Sequence, residues 1–133
     1  MQELDRAGRT ELHYAALHNE AEKMEQLITD GCDPNLPDKQ GMTPLHFAAQ
    51  SKSFDALKLL LELGVSFDSE DWQGNTPLWA AYNMKSDNGK SLKLIFSYGA
   101  DPYHENKNGM SPIKLAEVTG NKTLKDILLG KAK

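Results

Sequence analysis

The sequence predicts an all-α solenoid of four stacked helix-turn-helix repeats joined by hairpin-like fingers. A six-residue phrase that opens with glycine recurs four times, and its glycines are separated by 33, 33 and 35 residues. Each copy is followed by two short apolar stretches at helical spacing, and turn-forming residues separate the copies. A period of this size is typical of stacked arrays in which each unit contacts only its neighbours. The four copies occupy residues 8–13, 41–46, 74–79 and 109–114.

The first helix of each repeat begins within this phrase, most clearly in the second copy. Thr43 is suited to the N-cap position, and Pro44 to the first helical position, where its missing N–H has no intrahelical partner to lose. Leu45 and the small residues Ala48 and Ala49 then form an apolar face. Because alanine side chains are short, a neighbouring helix can approach this face closely.

The second helix of this repeat begins after a polar turn, in which we expect Lys52 to be exposed. Apolar residues then recur at helical spacing until Gly64, which is suited to a left-handed C-cap. The resulting apolar stripe needs a partner, which a neighbouring repeat supplies. The residues of the stripe are Phe54, Leu57, Leu60 and Leu61.

The other three repeats carry the same pattern of apolar residues. We expect one domain over residues 1–133, with repeats at about 5–37, 38–70, 71–105 and 106–133. The equivalent residues are Leu12, Ala15, Ala16, Met24, Leu27, Ile28 and Gly31 in the first repeat, Leu78, Ala80, Ala81, Leu92, Ile95, Phe96 and Gly99 in the third, and Ile113, Leu115, Ala116, Ile127, Leu128 and Leu129 in the fourth.

Residues 43–46 read Thr-Pro-Leu-His and resemble the signature of the ankyrin repeat family. The resemblance covers nearly the whole chain. It implies that the imidazoles of His13 and His46 brace the turn before each helix. The sequence also departs from the family pattern at several positions. These are Glu11 in place of the first proline, Trp79 and Lys114 in place of the motif histidine, and two extra residues near 86–89.

Charge, hydropathy and cysteine content exclude several classes of protein. Nineteen acidic and fifteen basic residues give a net charge of −4, which disfavours a nucleic-acid partner and favours a basic one. No apolar stretch approaches the roughly 20 residues of a membrane span, so no membrane partner is expected. A single cysteine and an amino terminus unlike a secretory signal indicate a cytoplasmic protein. This residue, Cys32, stands where Ala100 stands in the third repeat, and we expect it to be partly buried.

Little in the sequence suggests catalysis or metal binding. His18 and His104 have no second ligand at the i+3 or i+4 spacing that a helical metal site uses, so neither a metal nor a cofactor is expected. The chain contains no glycine-rich phosphate loop, nucleophile elbow or paired-carboxylate motif. A catalytic set assembled from distant residues would leave no such motif. An enzyme or metalloprotein therefore stays as the less favoured alternative.

An aromatic residue marks the third finger as a candidate binding site. Trp72 stands where the second and fourth repeats have the charged residues Lys39 and Lys107. Tryptophan is enriched among the residues that dominate binding energy at interfaces. Packing of the indole against the adjacent finger is the alternative. Tyr103, which we place at the tip of the last finger, is expected to be exposed by the same logic.

Two features of the third repeat leave alternatives open. Trp79 and Tyr82, on its first helix, belong either to the core or to an aromatic patch with Trp72. The insertion at residues 83–91 is either a harmless surface loop or a second contact region. The first interpretation is favoured, because longer loops raise the entropic cost of folding only slowly.

The family resemblance implies a non-enzymatic protein-binding module whose concave face is formed by the fingers and the first helices. Positions that flank the repeated phrase form the expected partner-binding set, together with aromatic and acidic residues of the fingers. The set is Arg6, Arg9, Lys39, Gln40, Met42, Gln50, Ser51, Glu70, Trp72, Gln73, Asn75, Asn83, Tyr103, Glu105, Lys107, Asn108 and Met110.

The chain also resembles small stand-alone bacterial ankyrin-repeat proteins, through residues 74–79, 99–102 and 108–112 and the extended third repeat. Members of that group are often considered immunity proteins that neutralise a toxin. The resemblance implies a protein partner, and a basic toxin domain is the specific hypothesis. We expect the free chain to be a monomer. A cytosolic adaptor or scaffold would have the same sequence features and is the main alternative.

Overall fold

Short helices make up most of the described chain. The computed structural model describes residues 4–81 and 89–130, and this part contains no strand. The predicted all-α class is therefore confirmed. Every helix in these ranges is too short or too polar to span a bilayer. The helices are α1 (Glu11–Leu17), α2 (Ala21–Thr29), α3 (Pro44–Gln50), α4 (Phe54–Glu62), α5 (Pro77–Ala80), α6 (Lys90–Ser97), α7 (Pro112–Thr119) and α8 (Lys122–Leu128).

The helices form pairs that stack along one direction. Within the pairs, α1 packs on α2, α3 on α4, α5 on α6 and α7 on α8. Between pairs, α1 contacts α3 and α3 contacts α5, so these three helices form one row; α2, α4 and α6 form a second row in the same way. The described residues therefore form the helix-turn-helix solenoid that the sequence predicts.

The core runs through the stack between the two rows. Leu60 is fully buried, as the predicted apolar stripe requires, and Leu12, Leu45 and Leu78 occupy equivalent buried positions in the first row. Some predicted stripe residues are only half-buried, because they lie at the margin of this core. These are Leu27, Ile28, Phe54, Ala80, Phe96, Leu115 and Leu129.

A threonine or serine occupies the N-cap of the first helix in each pair. The side-chain oxygens of Thr10, Thr43 and Ser111 each accept a hydrogen bond from a backbone N–H of the first helical turn. Thr76 makes no such side-chain cap in the described part of the chain, and α5 is only four residues long. The irregular repeat identified from the sequence therefore has the shortest helix of the described residues.

Lys52 is not the exposed residue that the sequence suggested. Its backbone has a positive φ of 59°, its side chain is half-buried, and its Nζ donates to the carbonyl oxygen of Ala81 at 2.9 Å. Ala81 follows α5, so the ammonium sits at the negative end of that helix. The equivalent residue of the first unit, Asn19, also reaches the next unit: its Oδ1 accepts from the Ala56 N–H at 2.9 Å.

Each finger ends in the same tight turn. In the second finger, the Asp38 N–H donates to the Met42 oxygen at 2.8 Å and the Gly41 N–H donates to the Asp38 oxygen at 3.0 Å. Equivalent bonds close the turns at residues 5–9, 71–75 and 106–110. The hairpin-like fingers are therefore confirmed.

Tyr103 lies outside the last of these tips. The tip is formed by residues 106–110, whereas the Tyr103 N–H belongs to an earlier turn and donates to Asp101 Oδ1 at 2.9 Å. The placement at the tip was wrong because the turn formers of the preceding segment create a separate turn. The expected exposure is confirmed, since 60% of Tyr103 is accessible.

Backbone hydrogen bonds join successive fingers. The N–H groups of Lys39, Trp72 and Lys107 donate to the carbonyl oxygens of the preceding fingers, at 2.8, 2.7 and 2.9 Å. The approach is close at Gly41, which has a φ of +80°, because a Cβ there would lie 3.0 Å from the Cα of Asp71. The acceptors, in the same order, are Ala7, Gln40 and Gln73.

Candidate functional site

Side-chain oxygens of aspartate and asparagine residues hold the finger turns in shape. In the third finger, Asp71 Oδ1 accepts from the N–H groups of Gln73 and Asn75, both at 2.9 Å. Asp5, Asp38 and Asn106 make the equivalent pair of bonds in the other fingers. Sequence reasoning missed these residues, although each stands three positions before a finger glycine. Their in-phase spacing was the available signal.

Two histidines brace the turns and also bridge neighbouring units. His46 Nδ1 accepts from the Thr43 N–H at 3.2 Å, so Nε2 carries the proton and donates to the Asn75 oxygen at 2.9 Å. His13 makes the same two contacts one unit earlier, to Thr10 and Met42. Burial lowers the pKa of both imidazoles from the ordinary value of 6.5, which favours their neutral form.

Three junctions separate the four finger turns at residues 5–9, 38–42, 71–75 and 106–110. At the first junction, an arginine of one finger contacts an aspartate of the next. Arg9 Nε lies 3.1 Å from Asp38 Oδ2, and the guanidinium lies 4.9 Å from the centre of the Phe47 ring. The edge of His13 meets the same ring, with centroids 5.7 Å apart. The side chain of Arg9, one of the predicted binding residues, is therefore bound within the chain.

The third junction is built differently. Trp79 occupies the position of the bridging histidine and is half-buried. The Asn106 Nδ2 donates to Asn75 Oδ1 at 2.9 Å, and Glu70 Oε2 lies 2.6 Å from His104 Nε2. A pair of side-chain amides and the contact between Glu70 and His104 thus join these units, whereas the first two junctions are bridged by a buried histidine.

A recess of about 420 Å³ opens between the second and third fingers and the helices α3 and α5. Trp72 stands at its edge with 61% of its surface exposed, so the indole is not packed away against the neighbouring finger. Six predicted binding residues line the recess, and four further residues complete it. The predicted residues are Gln40, Met42, Gln50, Trp72, Gln73 and Asn75, and the others are His46, Asp71, Trp79 and Ala80.

Comparison with known families agrees with this geometry. A family model described as ankyrin repeats, in three copies, matches residues 12–106, which is most of the chain. The chain belongs to the ankyrin repeat family. Ankyrin repeats are typically non-enzymatic interaction modules that mediate binding to other proteins. None of the curated proteins matches the chain.

The remaining predicted residues of this ankyrin array lie around the recess or away from it. Ser51 is exposed at the end of α3, and its Oγ donates to the Phe47 oxygen at 2.7 Å. Asn83 and Tyr82 fall outside the described residues, as does most of the insertion. Finger residues with exposed side chains are Arg6, Lys39, Lys107 and Asn108, whereas Met110 is half-buried.

The two acidic finger residues of the predicted set are paired within the ankyrin array. Glu70 contacts His104, and Glu105 lies 2.5 Å from the Nζ of Lys114. Lys114 also donates to the Gly109 oxygen at 3.1 Å. Because Lys114 is paired with Glu105, the last finger is less acidic than the sequence alone suggested.

Residues considered for chemistry occupy structural positions. Cys32 is half-buried, as expected from its place in the repeat. Within residues 4–81 and 89–130, no group of three or more His, Cys, Asp or Glu side chains is arranged to hold a metal ion. The recess, with its mixture of aromatic and amide side chains, is accordingly the candidate functional site of the described chain.

Proposed function

We propose that this ankyrin array binds its protein partner through the recess and the finger residues around it. The observation that carries the proposal is the exposed indole of Trp72 at the edge of the recess. A large aromatic side chain exposed beside a concavity offers apolar area that a partner can desolvate, and such residues dominate binding energy at interfaces. The amides of Gln40, Gln73 and Asn75 surround it with hydrogen-bonding groups that orient the partner.

The finer proposal is that the partner is a basic toxin and that the chain acts as its immunity protein in the cytoplasm. The resemblance to small bacterial ankyrin-repeat proteins supports this assignment. The distribution of charge supports a basic partner, since residues 1–71 contain fourteen of the nineteen acidic residues but only six of the fifteen basic ones. An acidic surface of this kind accelerates encounter with a basic protein.

Affinity capture from the native cell lysate tests the binding proposal. The wild-type chain, Trp72→Ala and Tyr98→Ala serve as three baits, and mass spectrometry identifies the captured proteins. Tyr98 is the matched control, because it is an exposed aromatic residue that ends α6 and does not line the recess. A protein enriched by the wild type and Tyr98→Ala but not by Trp72→Ala supports the proposal. Equal enrichment by all three baits contradicts it.

Co-expression then tests the toxin hypothesis. The captured protein is expressed in a host cell alone, with the wild-type chain, and with Trp72→Ala. Growth arrest that the wild type relieves and Trp72→Ala does not relieve supports an immunity function. A captured protein that leaves growth unaffected contradicts that function and favours the adaptor.

A further inference from the structure

Equivalent finger positions meet across each junction of the stack, and two of the three junctions are closed there by side-chain pairs. At the first junction, the pair is ionic, with Arg9 Nε 3.1 Å from Asp38 Oδ2. At the third junction, it is an amide pair, with Asn106 Nδ2 2.9 Å from Asn75 Oδ1. In both cases the side chain of one finger satisfies the polar side chain of the next.

The second junction has no such pair in the described part of the chain. Met42 occupies the position of the arginine, while Asp71 keeps the carboxylate. A thioether is only a weak hydrogen-bonding group and carries no charge to match a carboxylate. Ala80 also replaces the phenylalanine on which the arginine of the first junction lies. The recess occupies the space that these two smaller or uncharged residues leave.

Only one of the two carboxylate oxygens of Asp71 accepts hydrogen bonds that hold the finger turn. Its hydrogen bonds within the described residues all involve Oδ1, which accepts from the N–H groups of Gln73 and Asn75. In the equivalent Asp38, Oδ1 makes the same turn bonds and Oδ2 receives the guanidinium. No Lys or Arg side chain is among the described residues that line the recess. The second oxygen of Asp71 is therefore available for a cation from outside the chain.

We propose that the recess receives an arginine side chain of the bound protein, whose guanidinium repeats the contact that Arg9 makes with an aspartate at the first junction. The proposal rests on the proposed function, since it names the group of the partner that enters the recess. The guanidinium pairs with Asp71 Oδ2 and stacks against the exposed indole of Trp72. Arginine fits this site better than lysine, because its planar group combines stacking with directed hydrogen bonds.

A titration with a small probe tests the site without the partner. N-acetyl-arginine amide is added to the full chain, and the indole N–H signals of the two tryptophans are followed by nuclear magnetic resonance. N-acetyl-citrulline amide is the control, because it has nearly the same shape but no charge. We expect a saturable shift of the Trp72 signal with the arginine compound and binding about ten-fold or more weaker with the citrulline compound. Absence of a saturable shift, or equal affinity for both compounds, overturns the proposal.

Two matched substitutions test whether the carboxylate of Asp71 binds the guanidinium. Asp71→Asn keeps the oxygen that accepts the turn N–H groups and removes the carboxylate. Asp101→Asn makes the same change in another turn, where Oδ1 accepts from the Tyr103 N–H. We expect Asp71→Asn to weaken binding of N-acetyl-arginine amide about ten-fold or more and Asp101→Asn to leave it unchanged. Equal effects of the two substitutions contradict the assignment.

The substitution Met42→Arg tests the arginine site in a second way and leaves the carboxylate of Asp71 in place. The new side chain stands where Arg9 stands in the preceding unit, so it pairs with Asp71 and fills the recess from within. We expect a folded protein, with an unchanged circular dichroism spectrum, that no longer binds N-acetyl-arginine amide. Probe binding that survives in this variant shows that the arginine site lies elsewhere.

Binding of the captured partner to Trp72→Ala and Asp71→Asn distinguishes failure of this inference from failure of the proposed function. If Trp72→Ala weakens partner binding and Asp71→Asn does not, the recess binds the partner but the arginine proposal fails. If both substitutions weaken binding, both proposals stand. If neither does, the partner binds another face and the proposed function fails, while the probe titration still judges the arginine site.

Discussion

His46 joins two units of the ankyrin array through one hydrogen bond, in which its Nε2 donates to the Asn75 carbonyl oxygen 2.9 Å away. The bond requires an imidazole whose other nitrogen, Nδ1, is unprotonated, because Nδ1 accepts the Thr43 N–H. Protonation of His46 would therefore replace this acceptor with a donor that faces another donor. The same holds for His13, which bonds Thr10 and Met42.

Acid is expected to destabilise the fold through these two histidines. Burial lowers the pKa of His13 and His46 in the folded chain below the ordinary 6.5, so the unfolded chain binds more protons as pH falls through that value. The free energy of unfolding should be fully retained above about pH 6.5 and decrease below it, down to the lower pKa of the folded state. Urea denaturation at about pH 7.5 and about pH 5.5 measures the change.

Single substitutions test whether the buried histidines cause this dependence of stability on pH. His46→Gln should reduce the difference between the two pH values, whereas replacement of the exposed His18 by Gln should preserve it. An unfolding free energy that is the same at both pH values in the wild-type chain contradicts the account.

Leu60→Ala is expected to destabilise the protein by about 2–5 kcal/mol. Leu60 is fully buried between the units, and its truncation leaves a cavity that the surrounding helices cannot fill. Lys58→Ala on the same helix is the control, because Lys58 is exposed and its replacement should be nearly neutral. Urea denaturation of the two variants provides the comparison, and equal midpoints would show that the helix faces are misassigned.

Gly41→Ala should be more destabilising than Gly109→Ala. Both glycines have positive φ angles, +80° and +73°, so each substitution costs about 1–2 kcal/mol in backbone strain. At Gly41 the new Cβ also meets the backbone of Asp71 and Trp72 at 3.0 to 3.1 Å, whereas nothing lies within 4 Å at Gly109. Thermal unfolding of the two variants isolates the close approach of the fingers, and equal losses of stability would argue against it.

The repeated phrase predicted the fold well because residues that start and end a helix recur in most of its copies. Thr43 and Pro44 specify a helix start, and Gly64 specifies a helix end, without help from distant residues. The buried face of α4 followed from apolar spacing alone. These signals act within one repeat, so a single sequence contains them.

Residues that act between repeats were harder to predict. Lys52 was expected in solvent because lysine is polar, but its long side chain reaches the end of α5 in the next unit. Glu70 was expected to belong to the partner-binding set, but a histidine of the following finger lies beside it. The recess depends on Met42 and Ala80 standing where the preceding unit has an arginine and a phenylalanine. The sequence shows that Met42 and Ala80 differ from the equivalent residues, Arg9 and Phe47. Only the structure shows that Arg9 and Phe47 contact each other, and that this contact is missing at the recess.

Charge in the amino-terminal units is expected to set the association rate with a basic partner. Glu22 and Glu25 are exposed on α2, and their joint replacement by Gln should lower the association rate and weaken its dependence on salt. Joint replacement of Asp101 by Asn and Glu117 by Gln is the control, because both residues are exposed and it changes the net charge equally but in the more basic half of the chain. Surface plasmon resonance at two salt concentrations separates the two, and equal effects contradict steering toward the amino-terminal half.

The dissociation rate of the captured partner from Trp72→Ala tests the central claim, that the recess and its edge form the binding site. Loss of the indole should raise this rate about 30-fold or more, which corresponds to about 2 kcal/mol or more for an interface anchor, and leave the association rate nearly unchanged. Tyr98→Ala, which removes an exposed aromatic side chain outside the recess, should leave both rates as in the wild type. A dissociation rate for Trp72→Ala that equals those of the wild type and Tyr98→Ala, measured on folded protein, would contradict the claim.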